Sequence, residues 1–272
     1  MKSIEKTNKF KLGVLGIGNM GGSILNGIIN ASIYPNNEIC IYDIDQDKIK
    51  KYQDLGLSTA KCEKELIENV DMLLLAIKPQ MLCALENLNL NINNLIVISI
   101  IAGKTVSDLT QIFGNQKFIR VMPNTPALIN EGATAIARTQ SVTDEEFNIV
   151  KEIFASIGVV EEIDDNLMNE IIPVNGSMPA FLYYFAKCFI DKALKDGISY
   201  EVAKSLCVQA IIGSAKMIAN TDKSIDELIK DVCSPKGATL EGLKVFEQHH
   251  INEIIEEVAD ATIKRAYELS KI

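Results

Sequence analysis

The sequence predicts an α/β fold: an N-terminal, mostly parallel sheet wrapped by helices, followed by an all-helical C-terminal region. Three observations carry that prediction. Short apolar runs alternate with helix-like segments over the first 160 or so residues, the pattern of βαβ units. A glycine-rich turn joins the first strand to the first helix. Beyond residue 163 the strand-like runs give way to long stretches of helical period. The border is therefore set at 1–163 and 164–272.

In order along the chain, the strands are expected at "KLGVLGI" (11–17), "EICIYD" (38–43), "DMLLLAI" (71–77), "NLIVISI" (94–100) and "FIRVM" (118–122). A buried helix segment is the alternative for any one of them, but five in alternation read as βαβ units and a parallel sheet with helices on both sides. "NMGGSILNGIIN" between the first two places Met20, Ile24, Leu25, Ile28 and Ile29 on one helical face. "GATAIAR" (132–138) and "VVEEI" (159–163) read as two further strands, and Thr143 with Glu146 starts a helix between them as a capping box. The C-terminal helices are "FLYYFAKCFIDKALKDG", "YEVAKSLCVQAIIGSAKMIAN" and "INEIIEEVADATIKRAYELS", with a second capping box at Ser224 and Glu227. Several are apolar on more than one face. An intimate dimer through them accounts for that surface, and a tightly buried monomeric core is the alternative.

Composition bounds the function. Hydrophobic residues make up 47% of the 272, the formal net charge is −9 and the pI is about 4.9. No basic stripe is present for nucleic acid. The runs "MLLLAI" and "LIVISIIAG" fall short of the roughly 18 residues of a membrane span, and the polar start "MKSIEKTNKF" lacks the apolar stretch of a signal peptide. Six cysteines form no CxxC pair, which reads as reduced thiols in the cytoplasm. Adjacent His249 and His250 point apart on a helix, so no metal site is expected.

The turn "GIGNMG" supplies Gly16-x-Gly18-x-x-Gly21 after a strand and at the head of a helix. Glycines let the backbone approach a pyrophosphate, and the helix N-terminus favours its charge. An acid, Asp43, closes the second strand 22 residues after Gly21, where a carboxylate accepts the adenosine ribose hydroxyls. The N-terminal region is thus Rossmann-like, and Gly16, Ile17, Gly18, Asn19, Met20, Gly21 and Asp43 are its cofactor-binding residues. A plain glycine-rich turn is the alternative. The first residues after the strand, Asp43, Ile44 and Asp45, repel a 2′-phosphate, which favours NADH over NADPH.

With "AIKPQ" (76–80), "RVMPNTPALINEGATAI" (120–136), Gly176-Ser-Met-Pro-Ala180 and the closing Ser234-Pro-Lys-Gly-Ala-Thr239, the chain resembles the pyrroline-5-carboxylate reductase family from about residue 11 to 268. The resemblance implies reduction of the cyclic imine of 1-pyrroline-5-carboxylate to L-proline with NADH or NADPH. It implies that Ala76, Ile77, Lys78 and Pro79, with Ala102 and Gly103, line the nicotinamide–ribose end, and that Met122, Pro123 and Asn124 border nicotinamide and substrate. Ser234, Gly237 and Ala238 would clasp the substrate carboxylate, and Thr239 would hydrogen-bond the ring nitrogen as the catalytic residue. It further implies an interwoven helical homodimer, often assembled into a larger oligomer.

That role fits the chemistry of the turn. The substrate brings its own electrophile and the cofactor the hydride, so the protein has chiefly to hold a carboxylate and aim a ring carbon. Backbone N–H groups of a small-residue turn suit that task, and the alternative is a mere helix start with proline at its first turn. Three departures stand out: Lys236 where the family has the first loop glycine, Met178 for the central glycine of its GSGPA motif, and Glu63 for an asparagine near the ribose. The first two leave room for a related cyclic imine acid as substrate, and a non-catalytic dinucleotide-binding paralogue is the remaining rival. Glu63 adds a third acid and strengthens the NADH reading. Cys233 beside the turn is either a redox-sensitive or a buried structural thiol. Lys78 reads as a positioning or structural residue beside the cofactor rather than a catalytic lysine. Lys187 lacks the glycine-rich pattern that precedes the catalytic lysine of β-hydroxyacid dehydrogenases, and that reading is rejected.

Overall fold

The computed structural model describes residues 9–269; most of the polar N-terminal run read above, and the last residue of the final predicted helix, lie outside them. The chain divides into two compact units, Met1–Ser177 with Thr262–Ile272, and Met178–Ala261.

The first unit is built on eight strands: β1 (Phe10–Leu15), β2 (Ile39–Tyr42), β3 (Ser58–Thr59), β4 (Val70–Leu75), β5 (Ile96–Ser99), β6 (Lys117–Met122), β7 (Gly132–Arg138) and β8 (Gly158–Glu162). They lie in the order β3-β2-β1-β4-β5-β6-β7-β8. Every neighbouring pair is parallel except β6 and β7. The exception has a local cause. The segment between these two strands is a short loop with a 3-10 turn, Thr125–Ile129, too short to cross back over the sheet, so the chain must return antiparallel. The helices are α1 (Asn19–Asn30), α2 (Gln46–Gln53), α3 (Glu63–Ile67), α4 (Val106–Phe113) and α5 (Asp144–Ala155).

Successive strand residues face opposite sides, and both sides are covered. Leu12, Val14, Met72, Leu74, Ile96 and Ile98 join the cluster with α1 and α5. Leu15, Leu73, Leu75 and Val97 join the other, with Leu66 of α3 and Leu109 and Phe113 of α4. This two-sided burial explains the unbroken apolar runs in the sequence. All seven expected strands form, most of them shorter by a residue or two at one or both ends. The two-residue edge strand β3 was not expected.

The capping boxes at Thr143/Glu146 and Ser224/Glu227 both form with reciprocal bonds. A third, Thr105/Asp108, starts α4. The expected border at residue 163 does not match the packing. Met168 is buried with Ala135 and Ala137 of β7, and Arg120 of β6 pairs with Asp165 at 2.8 Å. Residues 164–177 thus pack with the sheet.

The second unit comprises α6 (Met178–Lys195), α7 (Tyr200–Ala219), α8 (Ile225–Val232), α9 (Ala238–Gln248) and the first part of α10 (Ile251–Leu269). Phe185 stacks edge-on with Phe189 at 5.0 Å between centroids. Large apolar side chains stay open on the single chain, including Tyr184, Leu206, Val232 and Ile255, each more than 60% exposed. Although the strand-like runs are short of a span, α7 is long and apolar enough, by length and composition, to cross a membrane.

Candidate active site

The carboxyl ends of β1, β4, β5 and β6 lie along one edge of the sheet, because these strands are parallel neighbours. In open α/β sheets ligands bind outside that edge. The residues that follow these strands are Gly16–Gly21, Ala76–Pro79, Ala102–Gly103 and Met122–Asn124. Topology therefore gathers four segments that are far apart in sequence.

The three loop glycines have distinct reasons. Gly16 has φ +96°, and a Cβ there would lie 2.7 Å from the Ala76 carbonyl oxygen. At Gly21 a Cβ would lie 2.2 Å from the Gly16 oxygen. Both are required by the protein itself. Gly18 is different: its φ is −71°, and a Cβ would meet nothing within 4 Å. No internal contact demands glycine at this position. A ligand approaching the backbone would, and Gly18 is also the N-cap of α1, with no side-chain cap and no acid in the first turn. These features fit a dinucleotide pyrophosphate, which supplies the acceptor and the negative charge that a helix start lacks.

Asp43 follows β2 and reaches back to the turn. Its Oδ2 accepts the Ile17 N–H at 2.5 Å and its Oδ1 the Asp45 N–H at 2.9 Å. Each carboxylate oxygen keeps a further lone pair for a ribose hydroxyl. A cavity of about 360 Å³ opens beside it, lined by Gly16, Gly18, Asp43, Ala76, Ile77 and Lys78, with Asp45 and Glu63 also on its wall. Its apolar side includes Ile44, Met81, Ala84 and Leu85. The last three escaped the sequence reading because they belong to a 3-10 turn, Pro79–Leu85, which has no clear period. Lys48 also lines the cavity, but its Nζ lies 3.4 Å from Asp45 Oδ2. Tyr42, on the same wall, has its phenol pKa raised by burial and then by Glu63, Cys62 and Asp43, so the wall carries negative potential.

Gly103 occupies the left-handed region at φ +75°, just after β5. Asn124 is buried, and its amide is engaged within the protein: Nδ2 donates to the Asn175 carbonyl at 3.1 Å and Oδ1 accepts the Ala133 N–H at 2.9 Å. Asn175 is a residue that sequence reasoning missed; the dipeptide Asn175-Gly176 gave only a turn signal.

In the helical unit, Ser234–Gly237 forms a turn closed by the Gly237 N–H to the Ser234 carbonyl at 2.9 Å. Pro235 followed by Lys236 at φ +62° is the arrangement of a type II turn, whose third residue is usually glycine. A Cβ at Gly237 would lie 2.4 Å from Ser234 Oγ, so that hydroxyl would have to turn away. Gly237 caps α9 without a side-chain bond, Ala238 opens the helix, and Thr239 is exposed in its first turn. The flanking acids are taken by other lysines: Asp231 by Lys223 at 2.7 Å and Glu241 by Lys244 at 2.8 Å. Cys233 is half-buried.

Comparison with known proteins gives a consistent result. A family model described as pyrroline-5-carboxylate reductase dimerisation matches residues 165–269, and one described as NADP oxidoreductase coenzyme F420-dependent matches residues 11–103. Pyrroline-5-carboxylate reductase of Escherichia coli is 33% identical, covering 96% of this chain and 98% of that protein. The Arabidopsis thaliana enzyme of the same name is 30% identical, covering 96% of each. Among solved structures, pyrroline carboxylate reductase of Plasmodium falciparum with NADP bound superposes with a TM-score of 0.85 at 28% identity, covering 97% of this chain and all of that one. A pyrroline-5-carboxylate reductase of Coxiella burnetii gives 0.88 at 28% identity, covering 98% and 100%.

Proposed function

The chain belongs to the pyrroline-5-carboxylate reductase family, and from that premise we propose how its own residues divide the work. The protein is an NAD(P)H-dependent oxidoreductase that reduces 1-pyrroline-5-carboxylate to L-proline. The nicotinamide, when bound, supplies the hydride that adds to the imine carbon while the ring nitrogen gains a proton.

Gly18 and the uncapped start of α1 hold the pyrophosphate, and Asp43 takes the adenosine ribose. Ala76, Ile77, Lys78 and Pro79, with Ala102 and Gly103, line the nicotinamide–ribose end. Ser234, Gly237 and Ala238 hold the substrate carboxylate through a hydroxyl and backbone N–H groups. Thr239 has an exposed hydroxyl free to orient and protonate the ring nitrogen; an amine-forming reduction needs no histidine for this. Asn124 acts by bracing its loop. The observation that carries this division is Gly18, open on every side in a turn whose other glycines are sterically forced.

NADH is the preferred reductant in this reading. Asp43, Asp45 and Glu63 border the cavity, and Lys48, the nearest cation in sequence, already faces Asp45. The exposed apolar helices α6 and α7 support a homodimer through the dimerisation region, and its assembly into a larger oligomer. The scattered thiols favour a cytoplasmic setting.

The experiment is loss of the reduced-nicotinamide absorbance with purified protein and 1-pyrroline-5-carboxylate, NADH and NADPH side by side. Thr239→Ala is expected to lower kcat by about 10²-fold with the fold unchanged; undiminished turnover would remove Thr239 from the chemistry. Lys236 and Met178 favour a second substrate reading, a related cyclic imine acid, so the six-membered imine belongs in the same assay. Faster turnover of the larger ring would displace the five-membered one as the preferred substrate.

A further inference from the structure

Two buried asparagines, 8% and 7% exposed, hold each other's main chain. Asn124 Nδ2 donates to the Asn175 carbonyl at 3.1 Å. In return Asn175 Nδ2 donates to the Met122 carbonyl at 2.7 Å. Each side chain also accepts: Asn124 Oδ1 from the Ala133 N–H at 2.9 Å, Asn175 Oδ1 from the Gly176 N–H at 2.6 Å. Donor and acceptor are thus both used in both amides, and no side chain without both functions satisfies the set.

The clasp closes on a segment where the strand β6 ends. Met122–Asn124 leaves the carboxyl end of β6, and Pro123 has no N–H to contribute. The following 3-10 turn is held to α1 by Ser23 Oγ donating to the Ala127 carbonyl at 2.7 Å. Residues 122–124 are otherwise held by the pairing of Met122 with Ala135 at the end of the β6–β7 ladder and by the Asn124 carbonyl, which accepts the Ala127 N–H at 3.2 Å; side-chain bonds to the segment come from the clasp. Its far half, Asn175, stands just before α6, where the first compact unit ends.

We infer that Asn175, acting with Asn124, is a positioning residue that fixes Met122–Asn124 at the nicotinamide and substrate end of the site. This rests on the functional reading above, which puts that segment beside the reacting groups. A segment that wanders by an ångström costs catalysis far more than binding of the distant adenosine end. The expected signature is a loss in kcat with cofactor affinity nearly intact.

Asn175→Asp tests this with a built-in switch. Protonated, the new carboxyl keeps a donor for the Met122 carbonyl and an acceptor for the Gly176 N–H. Ionised, it has no donor and faces a carbonyl oxygen. Burial and that oxygen both raise its pKa, so function is present at low pH and lost as pH rises through the folded value. The ionisable groups on the neighbouring segments are Arg120, paired with Asp165, and Glu170, whose Oε1 accepts from the Tyr267 hydroxyl while its Oε2 is buried without a hydrogen-bond partner.

The variant's kcat relative to the parent should fall by about tenfold or more at alkaline pH and recover on acidification. The NADH dissociation constant should hardly move. Amide hydrogen exchange of residues 122–133, measured without nucleotide and compared with the parent at each pH, should show protection lost and regained over the same range. A pH-independent ratio, or exchange that matches the parent throughout, overturns the inference. If the variant does not fold, Asn175→Ala removes donor and acceptor together without burying charge. A fall in kcat alone then supports the clasp, and no fall, or equal damage to NADH binding, refutes it. Failure of the parent to reduce the imine would sink the functional reading instead, while the exchange result on nucleotide-free protein still decides whether the clasp orders the segment.

Discussion

The carboxylate of Asp43 accepts the backbone N–H of Ile17 at 2.5 Å, across the 26 residues that separate the end of β2 from the glycine turn. The acid expected to bind the ribose therefore also shapes the loop proposed to bind the pyrophosphate. Because the same oxygens serve both, removing the carboxylate has two consequences. Asp43→Ala should lose about 1–3 kcal/mol of stability, as an N–H loses a charged acceptor. It should also raise the KM for NADH more than that for NADPH, narrowing the preference. Melting curves and paired cofactor kinetics check both halves, and an unchanged NADH/NADPH ratio would remove Asp43 from cofactor selection.

The glycine turn gives a cleaner separation of stability from binding. At Gly18 a methyl group meets no protein atom within 4 Å and φ is ordinary, whereas at Gly21 it would sit 2.2 Å from the Gly16 oxygen. Gly18→Ala should melt within about 0.5 kcal/mol of the parent yet bind NADH at least tenfold more weakly. Gly21→Ala should destabilise the fold outright. Calorimetric melting with fluorescence titration of NADH distinguishes them, and equal NADH affinity in Gly18→Ala would mean that no ligand approaches that backbone.

These two glycines also mark what could be read from sequence. The turn, its flanking strand and helix, and Asp43 follow from local chemistry: spacing, alternation and charge over a few dozen residues. The seven strands were legible for the same reason, since a sheet buried on both faces leaves unbroken apolar runs. Strand β3 was not, because two residues carry no period. The Asn124–Asn175 clasp was not, because its halves are 51 residues apart and nothing local links Asn124, marked through the family motif alone, to Asn175 until the fold joins them. The border at 163 followed the change of texture, and the dimerisation model starts close to it at 165, but packing keeps residues 164–177 on the sheet through Met168 and the Arg120–Asp165 pair.

Lys236 sits at φ +62°, a conformation that costs a side-chain residue about 1–2 kcal/mol over its usual regions. Glycine relieves the strain but adds freedom to the unfolded chain, about 0.5–1 kcal/mol. Lys236→Gly should therefore melt at or slightly above the parent. With Asp231 and Glu241 paired to other lysines, the ammonium remains available to an anionic substrate. The KM for the imine should rise in Lys236→Gly and lose part of its salt dependence. A KM that is unchanged at low salt would show that the lysine only faces solvent.

The helical unit makes a separate prediction. Leu206 on α7 is 67% exposed, and Val202, four residues before it and so on the same face, is 50% exposed. A patch of that kind on a single chain marks an interface, and a charge placed at its centre would be buried without a partner. Leu206→Glu should shift the protein toward monomer in sedimentation and lower its melting temperature in a concentration-dependent way. A variant that sediments as the parent does would move the interface off this face of α7.

Acid stability should depend on Glu146, which closes the cap of α5 and lies 2.5 Å from Lys117 at the start of β6. Partial burial opposes its charge, but the Lys117 ammonium and the N–H and hydroxyl of Thr143 outweigh it, so the carboxyl titrates below its ordinary value. A lowered folded-state value means that the unfolded chain binds the proton first. The stabilisation is thus complete above the ordinary carboxylate range, near pH 4.3, and disappears as pH falls through the folded value. Glu146→Gln lacks the titration. The stability gap between parent and variant, measured by urea unfolding, should be widest at neutral pH and should close in acid. A gap of constant size would mean that the Lys117 contact contributes through packing alone, whatever the charge on residue 146.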